Sequence, residues 1–414
     1  MHVVVLAEFA VASGGAEKVA VESARALAEA GVDVTFIQGI TGPADPLLIH
    51  PRIARIGLGH RDIWSRPRLE AAVSGIWDGG SAKRLTAALD GLGRPPDCIH
   101  VHQWTRSLSP SVFPVLLKRG VPVVVTLHDY FLACPNGVYY RFDLDHPCTK
   151  TPLSAGCIAA PCDSQGRLHK LVRVGRSLAT RGAIGDRRLD VVHVCDASRH
   201  RMGDLLGGMN LFHHRIDNPV ASPEGAPSEP ARGDCFAYVG RLTREKGADL
   251  VAEAAAKAGM RALFIGAGPL EESLRAMPQV EVMGWQSPDA VAAILRRRAR
   301  ALVAPSRWFE TGPLTVYESL AAGIPVIASN RSGAAAAVLD GVTGFVVEPE
   351  TTSVASAMTE FARDDLTNRL GRAAHARYWA APMSAARHAE KLKSLYEFVT
   401  GDGSMLGIAE STSP

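Results

Sequence analysis

The sequence predicts an α/β protein of two doubly wound, Rossmann-like domains that face each other across a cleft. Three observations predict it. Short runs rich in Val and Ile recur without polar alternation, as in strands buried on both faces of a parallel sheet. Amphipathic stretches of helical length fall between them. The rhythm stops once, at the Pro-, Ala-, Ser- and Glu-rich segment Asn218–Gly233, and then restarts. A chain of 414 residues is also too long for one ordinary core.

The elements follow in order. Val3–Leu6 reads as the first strand, and a helix over Ala16–Ala30 is stopped by Gly31. Val32–Ile37, Cys98–His102, Val121–Leu127 and Val191–Cys195 are further strands, so residues 1–217 form an N-terminal domain. Residues 218–234 are the linker, and 235–383 form the C-terminal domain. Its strands are Phe236–Val239, Ala262–Ile265, Val280–Met283, Ala301–Ala304 and Pro325–Ala328. Helices near Ala248–Ala258, Leu270–Arg275, Ala290–Arg300 and Leu314–Ala322 lie between them. A last helix, about 384–399, is expected to pack back on the first domain, and 401–414 to be a flexible tail.

Composition narrows the class. Hydrophobic residues make up 47% and charged residues 21%, and no apolar run reaches roughly 18 residues, so a transmembrane helix is not expected. A net charge of +3 does not point to nucleic acid. The charge is uneven: residues 1–217 hold 25 Lys and Arg against 20 Asp and Glu, and the remainder 20 against 22. An anionic surface would therefore meet the first half. The opening Met1–Ala7 lacks a basic flank and is cut short by Glu8, which fits a buried strand better than a signal peptide. The seven cysteines are read as reduced thiols of a cytoplasmic protein, with the inner face of the cell membrane as the anionic surface it would meet.

Residues with chemistry cluster at strand ends. Gly14 and Gly15 open the first helix, where backbone N–H groups and the helix dipole favour an anion. Lys18, one turn on, is expected to be solvated. After the linker, Arg241 leaves a strand and Lys246 enters a helix five residues later; such a pair holds a diphosphate from two sides. Gly266 and Gly268 make a tight turn on which a nucleotide would lie flat, without the GxGxxG of a dinucleotide fold. Glu310 sits on a loop past a strand, Gly312, Pro313 and Leu314 run into a helix offering backbone N–H groups, and Glu318 lies in that helix. Two carboxylates eight residues apart suit a hydroxyl-rich ligand. His128 ends a strand, as does His102, and both would point at the cleft; His100 alternates with His102 and is expected to pack elsewhere.

The ordered set GGAE, VGRLTREKG, FIGAGPL, the Glu310-x7-Glu318 pair and AAGIPVIAS resembles the family-4 glycosyltransferases of the GT-B fold, over roughly residues 1–395. The resemblance implies retaining transfer of a sugar from a nucleotide-diphosphate donor, UDP- or GDP-linked, with no essential metal or other cofactor. It places Arg241 and Lys246 on the diphosphate and Gly15 where the first helix approaches it. Glu310, with the Gly312–Leu314 backbone, would bind the transferred sugar, and Glu318 the ribose. Gly284 and Trp285 would frame the base, and His128 would lie near the anomeric carbon. The acceptor would be a glycan, glycolipid or lipid-linked hydroxyl, in surface polysaccharide or glycoconjugate assembly.

The chain departs from the family where a Gly-Gly and a later Glu are usual: Ser332 replaces the first Gly and Ala336 the Glu. Asp143-Leu144-Asp145 mimics a metal-binding DxD but sits in a loop, and solvent exposure is expected. Cys134, Cys148, Cys157 and Cys162 are a weak zinc candidate, because no CxxC pair is present. Arg167, Lys170, Arg173, Arg176, Arg181, Arg187 and Arg188 face one acid, Asp186, across residues 166–188. A solvated helix face is the plain reading, and contact with an anionic membrane the sharper one. Two other functions remain open: a nucleotide-sugar epimerase or hydrolase of the same fold, and a catalytically silent sugar-binding partner.

Overall fold

The computed structural model describes residues 1–12, 14–203, 205–206, 208–222 and 224–401. From residue 402 on, the expected tail lies outside the described residues. The first sheet contains β1 (His2–Ala7), β2 (Asp33–Ile40), β3 (Ile53–His60), β4 (Cys98–Val101), β5 (Val123–Leu127), β6 (Leu189–His193) and β7 (Leu211–Arg215). All pair in parallel, in the order β3-β2-β1-β4-β5-β6-β7. The second contains β8 (Cys235–Val239), β9 (Ala262–Ile265), β10 (Val280–Val282), β11 (Ala299–Ala304), β12 (Val326–Ser329) and β13 (Gly344–Val347). It is also all parallel, in the order β10-β9-β8-β11-β12-β13.

Both orders reverse direction once, between β1 and β4 and between β8 and β11. Loops leaving the strands there splay to opposite faces and open a crevice at the carboxyl ends. Apolar clusters fill both faces of each sheet, which is why β1, β4, β5 and β9 are buried along their whole length.

Three strands escape the pattern that marks the others. β3 reads IARIGLGH and exposes alternate residues at a sheet edge; β7 reads LFHHR and closes the other edge half-exposed; β13 is only GFVV. The helix expected over Ala290–Arg300 instead runs Pro288–Arg298, because Ser287 caps it and Ala299 opens β11.

Six helices surround or support the cleft: α1 (Gly15–Glu29), α2 (Arg68–Ile76), α3 (Arg167–Ile184), α4 (Ala248–Ala258), α5 (Leu314–Ala321) and α6 (Ala385–Thr400). Helix α6 lies on the first domain. Its Ala389, Leu392, Leu395 and Tyr396 share a core with Val3, Val5 and Leu27, and Tyr396 Oη is 2.6 Å from His100 Nδ1. His100 thus has a packing partner away from the cleft.

The domains also touch directly. Lys18 on α1 donates to Glu318 on α5 at 2.8 Å, and Arg244 to Asp145 at 2.7 Å. Thr311 Oγ1 donates to the His128 carbonyl at 2.7 Å, and Trp308 joins the first domain's core.

Candidate active site at the facing sheet ends

On the second domain, β8 ends in Gly240-Arg241-Leu242 and β9 in Gly266-Ala267-Gly268. The two turns are zipped together: Leu242 N donates to the Ala267 carbonyl at 3.0 Å. Gly266 has φ +143°, and a Cβ there would stand 2.0 Å from the Gly240 carbonyl oxygen; one on Gly268 would stand 2.5 Å from that of Leu242. These glycines let the loops after β8 and β9 meet beside the reversal point. Arg241 projects from this seam with its side chain 68% exposed, 3.8 Å from Glu245.

Lys246 ends the loop before α4. Its ammonium pairs with Glu310 Oε1 and lies 5.2 Å from the Trp308 ring centroid. Ser306 Oγ donates to the other Glu310 oxygen. The Glu310 carboxylate is therefore buried and fully engaged, and the same atoms hold Lys246 in place. Gly312, with φ +116°, turns the chain, Pro313 caps α5 and Leu314 begins it, so the helix N-terminus opens beside Glu310.

Glu318, one turn into α5, meets the first domain. Lys18 was expected in solvent; in the structure its side chain is 19% exposed and bridges to Glu318, with Glu22 3.9 Å away. The expectation fails because Lys18's partner is 300 residues distant in the chain. Gly14 precedes α1 in extended conformation, and nothing lies within 4 Å of the place where Gly15 would carry a Cβ, so the helix start is open to an approaching group. Trp285 follows β10 with 73% of its surface exposed and Gly284 turning beside it.

His128 follows β5. Its Nε2 is 3.0 Å from His102 Nδ1, with the rings stacked at 5.3 Å. Burial pulls the His128 imidazole down to about 3, so both rings are neutral near pH 7. A water-sized cavity lies between them, bounded by Gln103, Thr105 and Asp129. Burial pushes the Asp129 carboxyl up to about 6.

Two further residues shape this floor. Glu8 Oε1 accepts the backbone N–H groups of Arg106, Ser107 and Leu108 at 2.6, 2.5 and 3.1 Å, which ties the loop after β4 to the end of β1. Arg176 donates to the Thr105 carbonyl at 3.2 Å and stacks on Phe131. In the sequence Glu8 signals only by interrupting an apolar run, and Arg176 is hidden among other arginines.

Glu22 yields a prediction of its own. Burial pushes its carboxyl up to about 7; Lys18 pulls it down, and Glu318 and Asp45 add to the rise. The unfolded chain loses this proton near ~4.3, so between there and neutrality the folded state binds more protons and stability falls as pH rises. Glu22→Gln keeps the neutral shape. Its melting temperature should match the parent's at about pH 5 and exceed it at about pH 8. An equal difference at both pH values would exclude this account.

Asp145 is not a solvated decoy: it accepts from Tyr140 Oη and Arg244, while Asp143 pairs with Arg141. Among the described residues no three His, Cys, Asp or Glu side chains are placed to hold one metal ion. Cys134, Cys157 and Cys162 lie around the buried Lys170, whose Nζ is 3.8 Å from Cys157 Sγ. Ser332 is buried and pairs with Glu310 in a β-bridge, and Ala336 is exposed.

Comparison with known proteins adds independent findings. Residues 226–377 match the family model "Glycosyl transferases group 1", and residues 14–151 match "Glycosyl transferase 4-like domain". The D-inositol 3-phosphate glycosyltransferase of Mycobacterium leprae is 25% identical over 363 residues, covering 81% of this chain and 76% of the relative. That of Nocardia farcinica is 29% identical, covering 72% and 66%. Sucrose-phosphate synthase from Thermosynechococcus elongatus superposes with a TM-score of 0.73 at 18% identity, covering 97% of this chain and all of that one. Anabaena HepE in complex with UDP-glucose superposes at 0.65 and 17% identity, covering 96% and 100%.

Proposed function

Because the chain belongs to the family-4-type glycosyltransferases of the GT-B fold, we propose that it is a retaining, metal-independent enzyme moving a sugar from a UDP-sugar to a hydroxyl of a glycan, glycolipid or lipid-linked acceptor. Sugar transfer from a nucleotide-sugar donor is the general activity. The UDP preference draws on the UDP-glucose complex of HepE. Seven unpaired cysteines fit a reducing, cytoplasmic compartment.

One observation carries the reading. Lys246, Glu310 and the start of α5 meet at the reversal point of one sheet, and the Thr311–His128 contact brings them against the reversal point of the other. A diphosphate at this place would draw Lys246 from Glu310, and Arg241 would close on it from the exposed side. The freed Glu310 carboxylate would accept hydroxyl groups of the transferred sugar. As the glycosidic bond breaks, negative charge grows on the β-phosphate, where Lys246, Arg241 and the N–H groups opening α5 stabilise it. A diphosphate oxygen so held would take the acceptor's proton on the same face, which retains configuration. Glu310, held by Lys246 and Ser306, is a binding group rather than a nucleophile. The neutral His128 would orient the sugar from the acceptor domain.

The test is thermal stabilisation by UDP-, GDP-, ADP- and CMP-sugars, repeated with Arg241→Ala and Glu318→Ala. UDP-sugars alone should raise the melting temperature, by a few degrees at ligand roughly a hundredfold above Kd, and both substitutions should reduce the shift. A shift with another nucleotide would reassign the base. No shift with any would remove the donor site.

A further inference from the structure

Helix α3 is built the opposite way from its sequence reading. Of the basic residues taken for a solvated face, Lys170, Arg173 and Arg176 point inward, and Arg167 at the helix start stays exposed. Lys170 is 2% exposed among the cysteines, Arg176 is 9% exposed on Phe131, and Arg173 pairs with Asp163 at 3.1 Å. What α3 presents to solvent is leucine: Leu168 is 82% exposed, and Leu171 and Leu178 are each 54% exposed.

Helix α2 packs alongside and continues this surface. A Cβ on Gly175 of α3 would touch Ile76 of α2 at 3.1 Å, and the Trp64 ring lies 5.6 Å from His169. Leu69 and Val73 on α2 are 79% and 61% exposed, with Trp64 before the helix at 58% and Trp77 after it at 46%. Among the described residues, seven of the seventeen exposed large apolar side chains therefore lie on or beside one pair of adjacent helices. Patches of this kind mark interaction sites.

We propose that this α2–α3 face docks on an anionic lipid surface. The side chains stand out from two helices packed side by side. Tryptophans lie at both ends of α2, as in membrane-interface belts. Arg61, Arg68 and Arg167 are exposed around the patch, against Glu70, which Arg61 already pairs. Such a cationic rim around an apolar centre complements anionic headgroups over acyl chains. Among the described residues no helix is long and apolar enough to cross a membrane, so contact through these helices is peripheral.

The face connects to the acceptor side of the cleft. Ile63 N donates to the Arg106 carbonyl at 2.8 Å, and Arg176 of α3 to that of Thr105 at 3.2 Å; both belong to the loop that Glu8 pins beside His102. A lipid-linked acceptor would thus enter next to His128. That last link rests on the function proposed above; the docking does not.

Flotation of the full chain with phosphatidylglycerol vesicles, and separately with phosphatidylcholine vesicles, tests the proposal. The protein should float with the first and stay behind with the second. Leu168→Glu/Leu171→Glu should lower the floated fraction about tenfold or more, and Arg61→Ala/Arg68→Ala/Arg167→Ala should make the residual binding insensitive to salt. All positions are exposed, and circular dichroism melts would verify folding. The thermal shift with nucleotide sugar should be unchanged in both variants, so loss of docking and loss of the donor site are read separately. A parent protein left in the soluble fraction would overturn the proposal. So would equal flotation with both lipids, unaltered flotation of the leucine variant, or self-association abolished by that variant with no vesicle binding.

Discussion

Lys246→Ala should lower kcat by about 10²–10³, the usual cost of removing one preorganised group that meets developing charge. Lys246 is held at its place before substrate arrives, by Glu310 on one side and the Trp308 ring on the other, and its side chain is only 20% exposed. Arg241 starts from solvent, so Arg241→Ala should cost less, about tenfold in kcat/KM. Glu310→Gln separates binding from charge. It retains an acceptor for the sugar but frees Lys246, so donor KM should rise more than kcat falls. Initial rates of nucleoside diphosphate release, with donor varied at saturating acceptor, measure all three. If Lys246 only braces the loop, its removal would lower the melting temperature and leave kcat of the folded fraction intact.

These residues were visible in the sequence because each comes after a strand that is unmistakably buried. β1, β5, β8 and β11 are each built on a run of three or more apolar residues, and the residues just past such a strand must surface at a sheet end. Position along the chain therefore located Arg241, Lys246, Glu310 and His128. The edge strands β3 and β7 were silent for the converse reason: half their residues face water, and no long apolar run forms. Partners across the cleft were silent too. Nothing local in GGAEK says whether Lys18 meets solvent or a carboxylate on another domain, and Asp145 could not be seen as the partner of Arg244. Helix α3 misled because arginine is by default an outward residue. Its inward arginines each find an acid, a carbonyl or an aromatic face from a loop that spacing alone does not bring there.

The cross-domain pair leads to the second large effect. Lys18→Met should raise donor KM about tenfold with a smaller change in kcat, while Lys18→Arg should recover most of the loss. In the free enzyme Lys18 holds the Glu318 carboxylate at 2.8 Å, on the side of the cleft proposed for the ribose. Removing the ammonium leaves Glu318 and Glu22 facing each other with no cation between them, and a partly buried carboxylate pair responds by taking up a proton. Glu318 would then lose the cation that holds its carboxylate in place for a hydroxyl group. The loss of Lys18 should therefore be largest at high pH, where ionising both acids costs most, and small near pH 5, where Glu22 is already protonated in the parent. A double-mutant cycle decides the matter. Lys18→Met and Glu318→Gln should couple by about 1.4 kcal/mol in donor binding, the whole tenfold effect of Lys18→Met, so that the pair is hardly worse than Glu318→Gln alone. Additive effects would mean that Lys18 acts on the donor by itself, as one more cation near the diphosphate. The domain contact at Glu318 would then be a consequence of closure rather than part of what positions the nucleotide.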